Sequence, residues 1–110
     1  MYGLVGTPTH ITASPYTASK HAVIGLTKAD ANQYAADKIR INSMCPGYIA
    51  TPLLLNAVSA GAMNSEIAKI PFGRLGEVEE IGDACAWLGS SLASYVTGSA
   101  IVVDGGYTAN

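Results

Sequence analysis

The 110-residue sequence predicts an α/β fold built on a parallel sheet. Segments with helical spacing of apolar residues alternate with two short apolar runs, at 39–44 and 99–103, an order typical of parallel α/β sheets. Each run ends near a glycine, Gly47 or Gly105, and the second run is unbroken, as expected for a strand covered on both faces. Two strands alone are too few for a stable open sheet.

The composition is unusually apolar for a small free-standing domain, with 49% apolar and 13% charged residues. We therefore expect some faces to contact partners, either other subunits or further chain. The net charge is −2, from six Lys and Arg against eight Asp and Glu, and the absence of a basic patch argues against a nucleic-acid partner. There is no apolar run of eighteen residues and no signal-peptide pattern, so we expect a cytoplasmic protein without a membrane partner.

Neither the cysteines nor the histidines predict a metal site. Cys45 and Cys85 lie far apart without C-x-x-C spacing, and we interpret them as buried free thiols in a reducing compartment. No metal-ligand spacing surrounds His10 or His21, so we expect no bound metal.

The first helix is predicted over 15–36, after a loop at 1–13. Ser14 is a good N-cap, and Pro15 suits the first helical position, where a missing N–H costs nothing. A stripe of small residues at helical spacing indicates a face that another element approaches closely, and we expect Gly25 to lie where backbone approach matters. The stripe consists of Ala18, Ala22, Gly25 and Ala29.

Caps and turns delimit the later helices. Thr51 is predicted to cap a helix that begins at Pro52, and 59–63 is predicted to be a mobile connection to a short helix at 65–70. Acidic residues from Glu77 onward favour a helix start there, because they complement the helix dipole. The predicted apolar face of that last helix consists of Val78, Ile81, Ala84, Cys85, Leu88 and Leu92.

Tyr16 and Lys20 are the first candidates for chemistry. They lie four residues apart in the predicted helix, and therefore one turn apart on the same face. A lysine ammonium held near a phenol favours the phenolate, and a tyrosine tuned in this way can donate or accept a proton at a carbonyl or alcohol oxygen. Taken alone, however, the spacing favours an ordinary surface pair, because two common residues often recur at one spacing by chance.

Five segments in a fixed order change that interpretation. Residues 16–20, Y-T-A-S-K, match a Y-x-A-S-K catalytic segment, and residues 39–47 match a strand of the form I-R-V-N-x-x-x-P-G. Together the segments resemble the short-chain dehydrogenase/reductase family over nearly the whole chain, from residue 3 to residue 110. The other three matches are a cofactor-contacting turn at 49–52, the beginning of the penultimate helix at 72–81, and the closing strand at 97–106.

The resemblance implies a Rossmann-like, doubly wound parallel sheet in a three-layer α/β/α arrangement. The family's phosphate-binding G-x-x-x-G-x-G turn and its N-A-G segment have no counterpart in this sequence. Counting back from Tyr16 places the family's catalytic serine just before Met1, and Ser14 is too close to Tyr16 to replace it. Residues 1–110 are therefore expected to be the C-terminal portion of a single NAD(P)-binding domain, without its phosphate-binding half and inactive alone.

The same resemblance implies roles for six residues. Tyr16 is expected to be the general acid/base, and Lys20 is expected to tune it and to bind the nicotinamide ribose. Both therefore count as catalytic and as cofactor-binding residues. The turn after the first strand supplies the other expected cofactor contacts, although alone it would be read as a simple strand-ending turn. The residues expected to make these contacts are Pro46, Gly47, Ile49 and Thr51. Gly47 lets the backbone approach the cofactor closely, Ile49 offers a backbone N–H, and Thr51 offers a hydroxyl.

The implied activity is an oxidoreductase reaction that interconverts an alcohol and a ketone by hydride transfer, with NAD or NADP as cofactor. The expected partners are a small-molecule substrate and identical subunits, in a dimer or tetramer. Residues 53–63 are interpreted either as part of a substrate lid or as an amphipathic surface helix, and Asp104 is expected to fix the terminal turn. The alternative is an inactive truncated remnant that acts at most as an oligomerisation module.

Overall fold

The computed structural model describes residues 14–61 and 63–109. The loop predicted at 1–13 lies outside the described residues, as does one residue of the connection predicted at 59–63. In chain order the elements are α1 (Ser14–Gln33), a 3-10 turn (Ala35–Asp37), β1 (Ser43–Pro46), α2 (Pro52–Ser59), α3 (Asn64–Ile67), α4 (Val78–Gly89), a second 3-10 turn (Ser91–Ala93) and β2 (Ala100–Val103).

The two strands lie side by side and run parallel, which confirms the predicted α/β class. The register pairs Ser43 with Ala100 and continues to Pro46 opposite Val103. At the carboxyl end of β1, the Gly47 N–H donates to the Val103 carbonyl at 2.9 Å. The hydrogen bonding between the strands therefore continues to the residue that follows β1. The carboxyl ends of both strands therefore lie at one edge of the sheet, where open α/β sheets place their ligands.

The predicted bounds of the first strand, 39–44, were wrong, because β1 begins four residues later. The preceding residues bond to the turn before β2 and not to a strand. The Gly98 N–H donates to the Ile41 carbonyl at 2.7 Å, and the Asn42 Oδ1 accepts from the Ser99 N–H at 3.0 Å. Regular hydrogen bonding between the two strands begins only at Ser43 and Ala100, where the segment opposite β1 becomes an extended strand.

Helix α1 buries a different face from the predicted one. Its buried residues are Ile24, Thr27 and Ala31, whereas the stripe of small residues is exposed. A Cβ added at Gly25 would meet no atom within 4 Å among the described residues, so close backbone approach does not explain that glycine. The side of α1 that packs on the sheet is therefore the one that carries Ile24, Thr27 and Ala31.

Local capping sets the beginnings of α2 and α4. The Thr51 hydroxyl oxygen accepts a hydrogen bond from the Leu54 N–H at 3.4 Å, as predicted for the cap before Pro52. At α4 the Glu80 carboxylate accepts from the Glu77 N–H at 2.8 Å. The same carboxylate binds Arg74 through two bonds of 2.8 Å, and these bonds lower the pKa of Glu80 to about 2.

The predicted apolar face of α4 is largely uncovered within the described chain. No residue of α4 is buried, Val78 is 52% exposed, and Leu92 beyond the helix is 81% exposed. Likewise Val102 of β2 is 37% exposed, so that strand is not covered on both faces. Cys45 is buried as predicted, but Cys85 is exposed, because two strands present too little surface to cover all of α4.

Arg40 joins the end of α4 to the first strand segment. Its guanidinium donates to the carbonyls of Leu88 at 2.7 Å, Ser90 at 3.3 Å and Val96 at 3.4 Å. The last carbonyls of a helix have no partner within the helix, and a cation at that end also complements the helix dipole. Arg40 therefore fixes the position of α4 relative to β1.

Substituting Arg40 by methionine is expected to lower the free energy of unfolding by about 2 kcal/mol, because three carbonyls lose their charged donor. Urea unfolding, monitored by far-UV circular dichroism, measures this change. Lys28→Met removes an exposed cation on α1 and serves as the control. An Arg40→Met midpoint equal to that of the unaltered protein would contradict the structural role.

Within residues 14–61 and 63–109, no helix combines the length and the apolar character needed to span a membrane.

Candidate active site

Tyr16 and Lys20 lie on the face of α1 that faces the sheet. They precede the buried Ile24 by eight and four residues, so all three share one side of the helix. The Lys20 Nζ atom lies 5.4 Å from the centroid of the Tyr16 ring, within the range of a cation–π contact. Tyr16 remains 44% exposed. The predicted one-turn pairing is thus present.

The turn after β1 is held from two sides. The Gly76 N–H donates to the Tyr48 carbonyl at 2.9 Å, and the Ala50 N–H donates to the Gly76 carbonyl at 2.8 Å. These two bonds form a parallel bridge between Ile49 and Gly76. With the bond from Gly47 to Val103, they fix the backbone of the turn without any ligand.

Two donors of this turn are available to a ligand. The bridge uses the groups on either side of Ile49, and the Ile49 N–H makes no hydrogen bond to any residue in 14–61 or 63–109. The Ile49 carbonyl accepts from the Thr51 N–H at 2.7 Å. The Thr51 oxygen caps α2, but its O–H remains able to donate, since a hydroxyl carries a donor as well as acceptors.

The glycine at position 47 is explained by packing between the strands. A Cβ built on Gly47 would lie 2.7 Å from both Cα and Cβ of Asp104. The backbone after β2 therefore occupies the place where a side chain would be, which by itself requires glycine. The predicted close approach of the Gly47 backbone to a ligand stays a prediction.

One open cavity of about 910 Å³ brings the predicted residues together. Tyr16 and Lys20 line it from α1, and the turn after β1 lines it from the sheet. Its size falls within the roughly 300–1,000 Å³ that small-molecule sites occupy. All six predicted site residues are in its lining: Tyr16, Lys20, Pro46, Gly47, Ile49 and Thr51.

The rest of the lining is mainly apolar. Leu53 and Leu54 come from the start of α2, and Val78 and Ile81 come from α4. Leu53, in the segment interpreted as a lid or a surface helix, lines the cavity and is 84% exposed. An apolar lining with few polar groups suits a small, largely apolar ligand.

Sequence reasoning missed a polar cluster behind the turn. Glu66 of α3 accepts hydrogen bonds from the hydroxyls of Tyr107 at 2.6 Å and Tyr48 at 3.4 Å. Its partners lie 41 and 18 residues away, so no local spacing could have indicated the cluster. Only the position of Tyr48, directly after Gly47, gave any signal.

Asp104 has the role predicted for it. Its carboxylate accepts from the Gly106 N–H at 2.9 Å, and from the N–H and hydroxyl of Thr108 at 2.9 and 2.7 Å. These bonds fix the turn that follows β2. Among the described residues, no group of three His, Cys, Asp or Glu side chains could hold a metal ion.

Comparison with known proteins identifies the family. A family model described as enoyl-(acyl carrier protein) reductase matches residues 4–108, nearly the whole chain. The chain belongs to the short-chain dehydrogenase/reductase family. Cyclohexanol dehydrogenase of Acinetobacter sp. (strain SE19) is 53% identical to this short-chain dehydrogenase/reductase chain over 96 residues, which are 86% of this chain and 36% of that enzyme.

Solved structures show the same family fold. A candidate 2-deoxy-d-gluconate 3-dehydrogenase of Agrobacterium tumefaciens, with bound NADP, matches with a TM-score of 0.82 and 44% identity. A 4-hydroxyisoleucine dehydrogenase in complex with NADH matches with a TM-score of 0.81 and 41% identity. Both matches cover 86% of this chain, and they cover 39% and 40% of those chains. This short-chain dehydrogenase/reductase chain thus spans about two fifths of the length of its relatives.

Proposed function

We propose that this chain carries the proton-transfer pair and the nicotinamide-facing turn of an NAD(P)-dependent oxidoreductase that interconverts an alcohol and a ketone. The observation that carries the proposal is that both groups of residues line one cavity. They come from α1 and from the edge of the sheet where the parallel strands end. The family assignment supports the reaction class.

Tyr16 is the proposed general acid/base. Its hydroxyl donates a proton to the substrate oxygen during reduction and accepts one during oxidation. The Lys20 ammonium beside the ring stabilises the charge that develops on the phenol oxygen when the proton leaves. Lys20 forms no salt bridge within the described part of the chain, so no carboxylate there competes for its charge.

The proposed cofactor is NAD or NADP, and the donors of the turn fit its nicotinamide end. The Ile49 N–H is a donor without a partner among the described residues, and a carboxamide oxygen can accept from it. The Thr51 O–H supplies a second donor, and the Lys20 ammonium can bind ribose hydroxyls. The cofactor supplies the hydride. Relatives that bind NADP and NADH leave the choice between the two open.

The proposed substrate is a small alcohol or ketone with an apolar body. The leucines of α2 and the apolar side chains of α4 provide the contacts for that body. The similarity to cyclohexanol dehydrogenase supports a compact hydrocarbon skeleton. Among the described residues that line the cavity, Lys20 is the one with a charged side chain.

Residues 1–110 are proposed to form the C-terminal portion of the domain, and the phosphate-binding portion is proposed to come from further chain. We accordingly propose that the 110-residue polypeptide alone has no dehydrogenase activity, and that the active protein is a homo-oligomer in the cytoplasm. The exposed faces of α1 and α4 also favour a second candidate, an inactive remnant that serves as an oligomerisation module. Activity of the longest polypeptide that the gene encodes discriminates the two.

Cofactor affinity tests the proposal most directly. In that longest polypeptide, Lys20→Met is expected to raise the Kd for NADH or NADPH about tenfold, because a charge-assisted hydrogen bond to the ribose is lost. Quenching of protein fluorescence measures the Kd, and reduction of cyclohexanone and related ketones measures turnover. Lys28→Met, on an exposed part of α1, should leave both unchanged. Absence of cofactor binding in the unaltered protein would exclude the oxidoreductase and leave the oligomerisation module.

A further inference from the structure

The residues behind the turn form a connected unit that reaches the cavity only through Tyr48. We call Tyr48, Glu66 and Tyr107 the phenol–carboxylate cluster. The Glu66 Oε2 atom accepts from both phenol hydroxyls, and the two rings meet edge to face with centroids 5.2 Å apart. Its other oxygen, Oε1, accepts from the Lys69 ammonium at 2.6 Å. Every hydrogen-bonding atom of the carboxylate thus has a donor.

The cluster joins three segments that are distant in sequence. Tyr48 belongs to the turn after β1, Glu66 to α3, and Tyr107 to the segment after β2. Helix α3 has only four residues and no side-chain cap at its first residue, so it is not stable by itself. Helix α3 is held by the buried Ile70 that follows it and is tied to the turn through the contacts of Glu66.

The protonation states of the cluster are complementary around neutral pH. Burial raises the pKa of the Tyr48 phenol, and burial together with the Glu66 hydrogen bond raises that of Tyr107. The hydrogen bond from Lys69, followed by that from Tyr107, lowers the pKa of the Glu66 carboxyl. Both phenols are therefore donors and the carboxylate is an acceptor over the physiological range, and the cluster needs no proton rearrangement to persist.

Tyr48 is the member that reaches the site. It lines the large cavity and lies between Gly47 and Ile49, whereas Glu66 and Tyr107 do not line that cavity. The carbonyl of Tyr48 is also one acceptor of the bridge that sets the direction of the Ile49 N–H. Because the Tyr48 side chain and the Ile49 N–H belong to adjoining groups of the chain, the cluster adds a side-chain restraint to the backbone bonds that orient this donor.

We propose that Glu66 and Tyr107 are positioning residues, which fix the turn at Tyr48 and Ile49 in the orientation that binds the nicotinamide cofactor. This inference rests on the proposed function. It assigns to α3 and to the segment after β2 a role in cofactor affinity that neither fulfils by direct contact. The proton transfer at Tyr16 does not involve the cluster.

Tyr107→Phe is the decisive variant, because it removes the 2.6 Å hydrogen bond and keeps the ring that packs on Tyr48. In the longest polypeptide that the gene encodes, we expect the Kd and the KM for NADH or NADPH to rise about tenfold, as expected for the loss of one charge-assisted bond. We expect kcat and its pH profile to stay as in the unaltered protein. Tyr95→Phe, at a fully exposed tyrosine, is the matched control.

A double-mutant cycle separates positioning from general destabilisation. Tyr107→Phe and Glu66→Leu together should raise the Kd no more than the larger single change, because each removes the hydrogen bond between these two side chains. A lower melting temperature with an unchanged Kd would overturn the inference, and so would additive effects on the Kd. If Glu66→Leu does not fold, the Kd of Tyr107→Phe alone decides. Absence of cofactor binding by the unaltered protein would overturn the proposed function as well, whereas normal binding with an unaffected Tyr107→Phe would overturn this inference only.

Discussion

Tyr16→Phe is expected to lower kcat by about 10²–10⁴-fold, the range that general acid/base groups contribute. The substitution removes the hydroxyl that we propose to carry the proton and retains the ring beside Lys20. Cofactor affinity should persist, because the proposed cofactor donors are in the turn after β1 and on Lys20. Steady-state assays with a ketone and NADH or NADPH, together with fluorescence titration of the cofactor, measure both quantities.

Tyr34→Phe is the matched control for this prediction. Tyr34 directly follows α1 and is 39% exposed, but it does not line the cavity, so its hydroxyl should be dispensable. The separation of kcat from Kd matters here, because a variant that merely unfolds loses both. A Tyr16→Phe protein with near-normal kcat would exclude the proposed acid/base role.

Gly47→Ala is expected to destabilise the protein by about 3 kcal/mol, the upper part of the usual cost of overpacking. The new methyl group would lie 2.7 Å from backbone and side-chain atoms of Asp104, and the backbone cannot rotate away as a flexible side chain could. Relief requires the ends of β1 and β2 to separate, which breaks the bond from Gly47 to Val103. Urea unfolding measures the loss of stability.

Gly25→Ala is the same chemical change as Gly47→Ala, but it is expected to raise the stability of the protein and not to lower it. Gly25 lies inside α1 with no described atom near its missing side chain, so alanine should raise stability by roughly 0.5–1 kcal/mol through its helix propensity. Comparison of the two alanines isolates the clash at the sheet from the general effect of adding a methyl group. Equal unfolding midpoints for the two variants would mean that the ends of β1 and β2 can separate without a loss in the free energy of unfolding.

Local signals predicted the beginnings of the helices to within a residue, but not the ends of α1 and α3, which come three residues before the predicted ones. Thr51 before Pro52 and the acidic residues around Glu77 mark helix starts through contacts within four residues, and the structure places α2 and α4 there. The bounds of β1 were missed because a strand begins where its partner begins. That partner, β2, is more than fifty residues further along the chain. The buried face of α1 was missed for the same reason, since the sheet and not the helix decides which side is covered.

The site residues also differ in how far they could be predicted from the sequence. Tyr16 and Lys20 could be paired from their spacing, because a helix fixes where residues four apart lie. The turn at Pro46 and Thr51 could be assigned only through the family resemblance, and its roles stay predictions. The contact of Glu66 with Tyr107 could not be predicted at all, because it depends on how α3 and the segment after β2 meet in space.

The parallel pairing of β1 with β2 also determines the order in which this site can form during folding. Ser43 donates to the Ser99 carbonyl at 2.9 Å, although the two residues are 56 positions apart. The chain loses conformational entropy when so long a loop closes, and it does so before the hydrogen bonds between the strands can form. Contacts of this kind therefore form slowly. Helix α1 needs only neighbouring residues and can form within microseconds. We therefore expect Tyr16 and Lys20 to be paired before the turn that faces them is in place, because that turn depends on the non-local pairing of β1 with β2.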